Sequence, residues 1–224
     1  MLKVEYTEIS GIAAAFRGMR NPMNSWDASD SRLCATVNGT VFVPGEKDME
    51  LASKLAAAGT DHGKFLRMIV VHCDVIAPLY WWKQMDTYKV GTVSNSCSTM
   101  HKLHEREFTL GDFSHDNMIL RNADKNSAFY DNFLGSTLYE LECVIAYLNK
   151  MRTLFLESRD KKYWWQMVQL LPSSYNQRRT VMLSYAVLRA IYHARKGHKL
   201  DEWQEFREWI ETLPCAKQLI KGGA

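Results

Sequence analysis

The chain has 224 residues, of which 46% are hydrophobic and 24% are charged, and its formal net charge is +3. These values are ordinary for a globular domain and exclude a largely disordered chain or a fibre. The charge is also small for a dedicated nucleic-acid binder, whose affinity depends on neutralising many phosphates, whereas a small anion such as a nucleotide needs only a local basic pocket.

The cysteines are scattered, odd in number and without any CxxC pair, which predicts reduced thiols rather than a disulfide framework. They are Cys34, Cys73, Cys97, Cys143 and Cys215. Charges at Lys3 and Glu5 and the absence of a stretch of about 18 uncharged apolar residues argue against a signal peptide and a membrane span. We therefore expect a soluble, cytoplasmic protein.

The N-terminal quarter predicts a strand, a helix and a long loop. Residues 2–9 alternate apolar and polar side chains as a strand does, and the Ala-rich residues 11–20 are typical of a helix. Residues 21–46 are rich in Asn, Ser, Asp and Gly and predict mostly loop. Within it, residues 36–41 predict a hairpin because Asn38-Gly39 supplies the positive φ angles of a two-residue turn, although a mobile surface loop is the alternative.

The next segment predicts a helix, a buried strand and an aromatic helix. Residues 47–58 are periodic and are followed by Gly59. Residues 66–76 predict a strand with one apolar face, formed by Ile69, Val71, Cys73 and Val75. Pro78 is expected to open a helix that continues through the aromatic residues to Tyr88.

The C-terminal half predicts four helices, over residues 132–157, 160–171, 179–195 and 201–212, after a small polar stretch over residues 92–101. No repeat, low-complexity tract or linker separates these segments. The sequence therefore predicts one domain over residues 1–224. Its class is α+β, with a small, mostly antiparallel sheet packed with long helices.

Two segments carry residue types suited to a phosphate or a base edge. Residues 83–99 run from a charged helix end into a hydroxyl-rich loop, where hydroxyls and backbone amides can bind an anion; the alternative is a loop whose Ser and Thr satisfy its own backbone. Residues 173–179, with the later Arg195-Lys196, offer planar guanidinium donors for phosphate or carbonyl oxygens. The alternative there is a solvated helix start.

Other chemistries have weaker support. Cys97, His101, His104 and Glu105 are of the types that bind zinc, but no second clustered half accompanies them, so no metal site is predicted. Cys97 is a candidate nucleophile, yet no sequence feature pairs it with a base. The chain contains no GxGxxG, P-loop or HExxH motif, which argues against the classes that those motifs serve.

Three stretches together resemble the flavin-dependent thymidylate synthases. They are Gly59-Thr60-Asp61-His62 followed by Ala77-Pro78-Leu79-Tyr80-Trp81-Trp82-Lys83-Gln84, the segment after that helix, and Leu171-Pro172 through Arg195 with Glu202-Trp203. The family's Arg-His-Arg signature is represented here by Thr87-Tyr88-Lys89, its nucleotide-phosphate Arg falls at Thr99 or Met100, and its flavin-binding Asn-x-Arg falls on Ser184 and Ala186. The resemblance is thus closer in order and spacing than in motif content.

The resemblance implies a role for each matching residue. Arg195 would be catalytic, because the family's matching arginine grips the pyrimidine ring. The implied substrate-binding residues are Arg178, Gln84, Ser98 and Asn95, with Thr92 and Ser94 as further hydroxyls. The implied flavin-binding residues are His62, Tyr88 and Lys89. No metal is implied.

The resemblance also implies a reaction, the reductive methylation of dUMP, in which methylenetetrahydrofolate gives the carbon and reduced FAD gives a hydride, without a protein nucleophile. The family forms a homotetramer with shared sites, which would place the aromatic helix 79–88 near subunit contacts. A helix over 179–195 would separate Arg178 and Arg195 by roughly 25 Å at 1.5 Å per residue, so different subunits would have to contribute them.

Two hypotheses follow. The chain is either a flavin-dependent one-carbon transferase acting on a pyrimidine nucleotide, which the retained Arg178 and Arg195 favour, or a non-catalytic nucleotide-binding or oligomeric scaffold relative, which the altered signature favours.

Overall fold

The computed structural model describes residues 2–37, 39–119 and 136–222. The strands are β1 (Lys3–Ser10), β2 (Arg32–Thr36), β3 (Gly39–Val43), β4 (Val70–Pro78), β5 (Thr92–Ser96) and β6 (Asn176–Ser184). The α-helices are α1 (Ile12–Met19), α2 (Glu46–Ala57), α3 (Leu79–Met85), α4 (Thr137–Ser158), α5 (Lys161–Leu170), α6 (Tyr185–Ala194) and α7 (Asp201–Glu211). Short 3₁₀ turns precede β2, β4 and α4, and a π-helical turn follows α7 over Lys217–Lys221.

The strands form two small sheets. One has four strands in the order β1-β4-β6-β5, and the other is the antiparallel hairpin of β2 and β3, in which Thr36 faces Gly39. Helix accounts for 50% and strand for 21% of the structure. The predicted α+β class, a small antiparallel sheet with helices, is therefore confirmed.

Most of the predicted elements are present within a few residues of the expected bounds. The strand over 2–9, the hairpin strands and the helices now labelled α1, α2, α4, α5 and α7 are confirmed. Asn38 of the predicted turn and residues 132–135 of the predicted helix lie outside the described residues.

The predicted helix over 179–195 is wrong in its first third. Residues up to Ser184 belong to β6, where Gln177, Val181 and Leu183 are buried and alternate with more exposed neighbours. This period of two marks a strand, and α6 begins only after Ser184, whose hydroxyl accepts a hydrogen bond from the backbone N–H of Val187. The 25 Å helical separation of Arg178 and Arg195 therefore has no basis.

Three other expectations are corrected. The polar stretch over 92–101 contains strand β5 rather than being loop throughout, because its backbone groups complete the sheet edge beside β6. The predicted strand over 66–76 begins at Val70, since Gly63–Met68 form a 3₁₀ turn. The aromatic helix ends at Met85, so Tyr88 lies beyond it.

The chain divides into two compact units. One comprises Ile76–Gln84 and Ser96–Arg178, and its core joins the 103–113 segment to α4 and α5 through Leu103, Phe108, Phe113, Leu141, Ile145, Leu148 and Met167. The other comprises Leu2–Val75, Met85–Asn95 and Arg179–Ala224, and its buried residues include Leu188, Ile191, Trp203, Phe206, Ile210, Leu219 and Ile220. No helix of the described residues has the length and apolarity needed to cross a membrane.

Candidate functional site

Arg195 is held at the end of α6 by two aromatic side chains of its own unit. Its Nε donates a hydrogen bond to the Tyr88 hydroxyl at 2.9 Å. The guanidinium carbon lies 4.4 Å from the centre of the Trp203 ring and 5.3 Å from that of Tyr88. Cation–π contacts of this kind contribute about 0.5–2 kcal/mol, more as they are desolvated. The plane and position of the guanidinium are therefore fixed by local contacts.

The turn between α6 and α7 explains why these residues meet. Gly197 adopts a φ of 67°, which permits the chain to reverse after Arg195. The Gln204 amide then donates to the carbonyls of Arg195 and His198, each at 3.3 Å. Trp203 is fully buried in α7 and so presents a fixed ring to the turn.

The surroundings of His198 favour its uncharged form. Burial and, secondarily, the nearby charge of Arg195 lower the pKa of His198 below its usual value of 6.5. The imidazole is therefore mostly uncharged at pH 7, and the cation of the cluster is Arg195.

Replacing Tyr88 by Phe removes the hydroxyl and keeps the ring. We expect Tyr88→Phe to lower the free energy of unfolding by about 0.5–1.5 kcal/mol, because one hydrogen bond between two half-buried side chains is lost. Urea denaturation measures this change, with Tyr147→Phe as the control, since the Tyr147 side chain is exposed on α4. Equal stability of Tyr88→Phe and the wild type would show that the bond to Arg195 does not persist in solution.

Ser98 and Arg178, two of the predicted substrate-binding residues, line one cavity of about 320 Å³ in the other unit. The Cys97 N–H donates to the Arg178 carbonyl at 3.2 Å. The buried Gln177 side chain donates to the Cys97 carbonyl at 2.7 Å. These two bonds fasten the segment carrying Ser98 to β6, and they bring together residues that are distant in sequence.

The wall of this cavity combines charged side chains with apolar ones such as Leu103 and Phe108. Arg106 forms two hydrogen bonds with the carboxylate of Asp112, which hold the pKa of Asp112 below its usual value although burial alone would raise it. Lys102 is paired with Glu105. Tyr175 packs its ring against Phe113 at 5.6 Å, and burial raises the pKa of its phenol.

The other predicted residues are placed elsewhere. Gln84 is half-buried at the end of α3, and Asn95 is exposed on β5; neither lines the cavity that holds Ser98 and Arg178. His62 is exposed and lines a larger cavity of about 1090 Å³, in the unit that contains α1 and α2. Tyr88 and Lys89 do not line that cavity. Ser184 serves as the N-cap of α6.

Three residues of these clusters were not predicted as site residues, namely Trp203, Lys102 and Arg106. The Thr109-x-x-Asp112 spacing, which forms a capping box in the structure, could have indicated an ordered segment around Arg106. Residues described by the structure contain no group of three or more His, Cys, Asp or Glu side chains able to hold a metal ion.

Comparison with known proteins finds similar structures but no protein of similar sequence. No protein-family model and no curated protein matches the sequence. Two solved structures that match are of thymidylate synthase X (ThyX) from Helicobacter pylori with FAD and dUMP. The first has a TM-score of 0.68 and 15% sequence identity, and the match covers 99% of this chain and 98% of the ThyX chain. The second has a TM-score of 0.66 and 16% identity, with 98% of each chain covered.

At this identity, the likeness establishes the fold alone, and the chain has the fold of the flavin-dependent thymidylate synthase ThyX over nearly its whole length.

Proposed function

We propose that the protein binds a pyrimidine nucleotide such as dUMP and transfers a methyl or other one-carbon group to it with the help of FAD. The observation that carries this proposal is the cavity in which Ser98 and Arg178 meet. The order of motifs in the sequence predicts both residues as substrate-binding, and both line this cavity. The similar structures, which were solved with FAD and dUMP, support the same ligand classes.

Each residue has a role that suits its chemistry. Arg178 offers parallel N–H donors, which match the oxygens of a phosphate, and the Ser98 hydroxyl adds a neutral donor. Arg195 does not line this cavity; in the homotetramer that this proposal includes, Arg195 of another copy, oriented by Tyr88 and Trp203, would polarise a pyrimidine carbonyl. Such polarisation stabilises the enolate form of the ring, in which C5 is nucleophilic.

The types of residue that line the cavity containing His62 suit a flavin. Cavities that hold small ligands usually measure about 300–1,000 Å³, and the cavity of about 1090 Å³ suits a large cofactor. Apolar side chains such as Phe65 and Met68 suit the ring system, and Lys47 and Lys64 suit its phosphates. When bound and reduced, the flavin would supply the hydride.

Assembly into a homotetramer is part of this proposal. Tyr88 and Lys89, the other flavin candidates, do not line the cavity that contains His62. A second copy of the chain that brought its Tyr88 and Lys89 to this cavity would complete the set, and methylenetetrahydrofolate would then enter as the carbon donor.

A non-catalytic relative that binds nucleotide is the second candidate. It is favoured by Tyr88, which replaces the signature histidine and uses its hydroxyl to hold Arg195. Calorimetry with dUMP, with and without FAD, separates the candidates when it is combined with a product assay. If the protein is the enzyme, incubating it with dUMP, methylenetetrahydrofolate, FAD and a reductant should give a nucleotide heavier by one CH₂. Nucleotide binding without this product would favour the second candidate, and no dUMP binding would contradict both.

A further inference from the structure

We propose that Lys102 and Arg106 join Arg178 in a subsite for a phosphate monoester, and that the Cys97 thiol lies in the wall of this subsite. The inference rests on the proposed function and deepens it by assigning the phosphate-binding residues. All four residues line the same cavity of about 320 Å³.

Two of the cations that line this cavity, Lys102 and Arg106, are not among the residues that the resemblance assigns to the substrate. The resemblance to the thymidylate synthases expects an arginine at Thr99, which also lines the cavity, or at Met100. Lys102 and Arg106 follow in the same segment and return positive charge to the wall. Together with Arg178 they line the cavity beside two carboxylates, Glu105 and Glu107, while Asp112, the partner of Arg106, does not line it.

Arg106 is oriented before any ligand binds. Its two terminal nitrogens donate to the two oxygens of Asp112, whose side chain is only 11% exposed. Asp112 is itself fixed, because it accepts a hydrogen bond from the Thr109 backbone N–H at 2.8 Å. A guanidinium carries five N–H donors, and Arg106 uses two on Asp112 and one on the Glu107 carbonyl at 3.5 Å, so others remain for a phosphate oxygen.

Lys102 is held less firmly. Its ion pair with Glu105 joins two largely exposed side chains, 58% and 55% accessible, and exposed pairs of this kind are weak. A phosphate dianion carries more charge than one carboxylate, so it competes effectively with Glu105 for the ammonium group.

The rate at which the Cys97 thiol is alkylated can show whether a ligand fills the cavity. The backbone of Cys97 is fixed by the bonds to Arg178 and Gln177, and Cys97 lines the same cavity as Lys102 and Arg106. The residue is exposed in the structure. A ligand that fills the cavity therefore shields the thiol from an alkylating reagent.

Alkylation of the full chain by iodoacetamide, followed by peptide mass spectrometry, tests the subsite. We expect dUMP to slow the modification of Cys97 and inorganic phosphate to do so at higher concentration. Deoxyuridine, which lacks the phosphate, should protect far less. Cys34 on the hairpin is the internal control, because it does not line the cavity and its rate should stay unchanged.

Single substitutions test which residues form the phosphate subsite. Lys102→Ala and Arg106→Gln should each raise the dUMP concentration that gives half protection by roughly tenfold, since each removes a charged hydrogen bond. Lys162→Ala is the matched control, because Lys162 is an exposed lysine paired with Asp160 and does not line the cavity. Thermal unfolding establishes that each variant is folded before it is compared.

The outcomes separate this inference from the proposed function. Calorimetric binding of dUMP without protection of Cys97 would overturn the subsite and leave the function standing. Equal protection by dUMP and deoxyuridine, or unchanged protection in folded Lys102→Ala and Arg106→Gln, would overturn it as well. Protection by inorganic phosphate in a protein that does not bind dUMP would support the subsite and overturn the proposed function.

Discussion

Asp48→Ala is expected to lower the free energy of unfolding by about 3–5 kcal/mol, because it leaves a buried guanidinium without its anion. Asp48 is 1% exposed on α2 and pairs with Arg20, which is also buried. The same carboxylate accepts hydrogen bonds from the hydroxyls of Ser29 and Ser31. One side chain thus joins α1, α2 and the segment that leads into the β2–β3 hairpin.

The contribution of Asp48 should depend on pH. Burial alone would raise the pKa of Asp48, but hydrogen bonds from Ser29, Ser31 and Arg20 outweigh it and lower the pKa. A carboxyl with a lowered pKa stabilises the fold above its unfolded pKa of about 3.9, and this stabilisation is lost as the pH falls through the folded value. Asp48→Asn should therefore flatten the acid limb of the stability profile.

Urea denaturation between neutral and acidic pH measures both effects. Glu50→Ala on the same helix is the control, because Glu50 and its partner Lys54 are largely exposed, and little change in stability is expected. A loss below about 1 kcal/mol for Asp48→Ala at pH 7 would show that the buried network is not formed as described.

Arg195→Ala is expected to weaken dUMP binding by about ten- to a hundredfold, which corresponds to the loss of a charged hydrogen bond of about 1.5–3 kcal/mol. Arg195→Lys should recover little of this affinity, because an ammonium group lacks the planar fork that Tyr88 and Trp203 orient.

Titration calorimetry at fixed ionic strength gives the affinities. Lys196→Ala is the matched control, since Lys196 is the exposed neighbour of Arg195, and its affinity should equal that of the wild type. If folded Arg195→Ala binds dUMP as tightly as the wild type, the assignment of Arg195 to the pyrimidine is wrong.

The fold could be predicted where the period of the apolar residues was clear. Helix α7 repeats Trp203, Phe206 and Ile210 on one buried face, and such a face is visible in the sequence. Strand β6 was missed because its period of two is interrupted by polar residues and runs directly into α6. Only the pairing of β6 with β4 and β5, a long-range event, shows which period applies.

The candidate site could likewise be predicted only in part. The order of motifs was enough to select Ser98 and Arg178, which the fold brings to one cavity. Lys102 and Arg106 lie in a segment without periodicity, and their placement depends on Asp112 and on packing around Phe108 and Phe113. These contacts are set by tertiary structure, so the local sequence indicates at most the ordered turn at Thr109–Asp112 and not the position of either cation.

The absorption spectrum of the purified protein, recorded before and after incubation with FAD and removal of excess cofactor, tests the central claim most directly. The proposal predicts that the protein retains FAD and shows the yellow absorption of a bound flavin, and that dUMP perturbs this spectrum. A colourless protein that retains no FAD under either condition would contradict the flavin-dependent function.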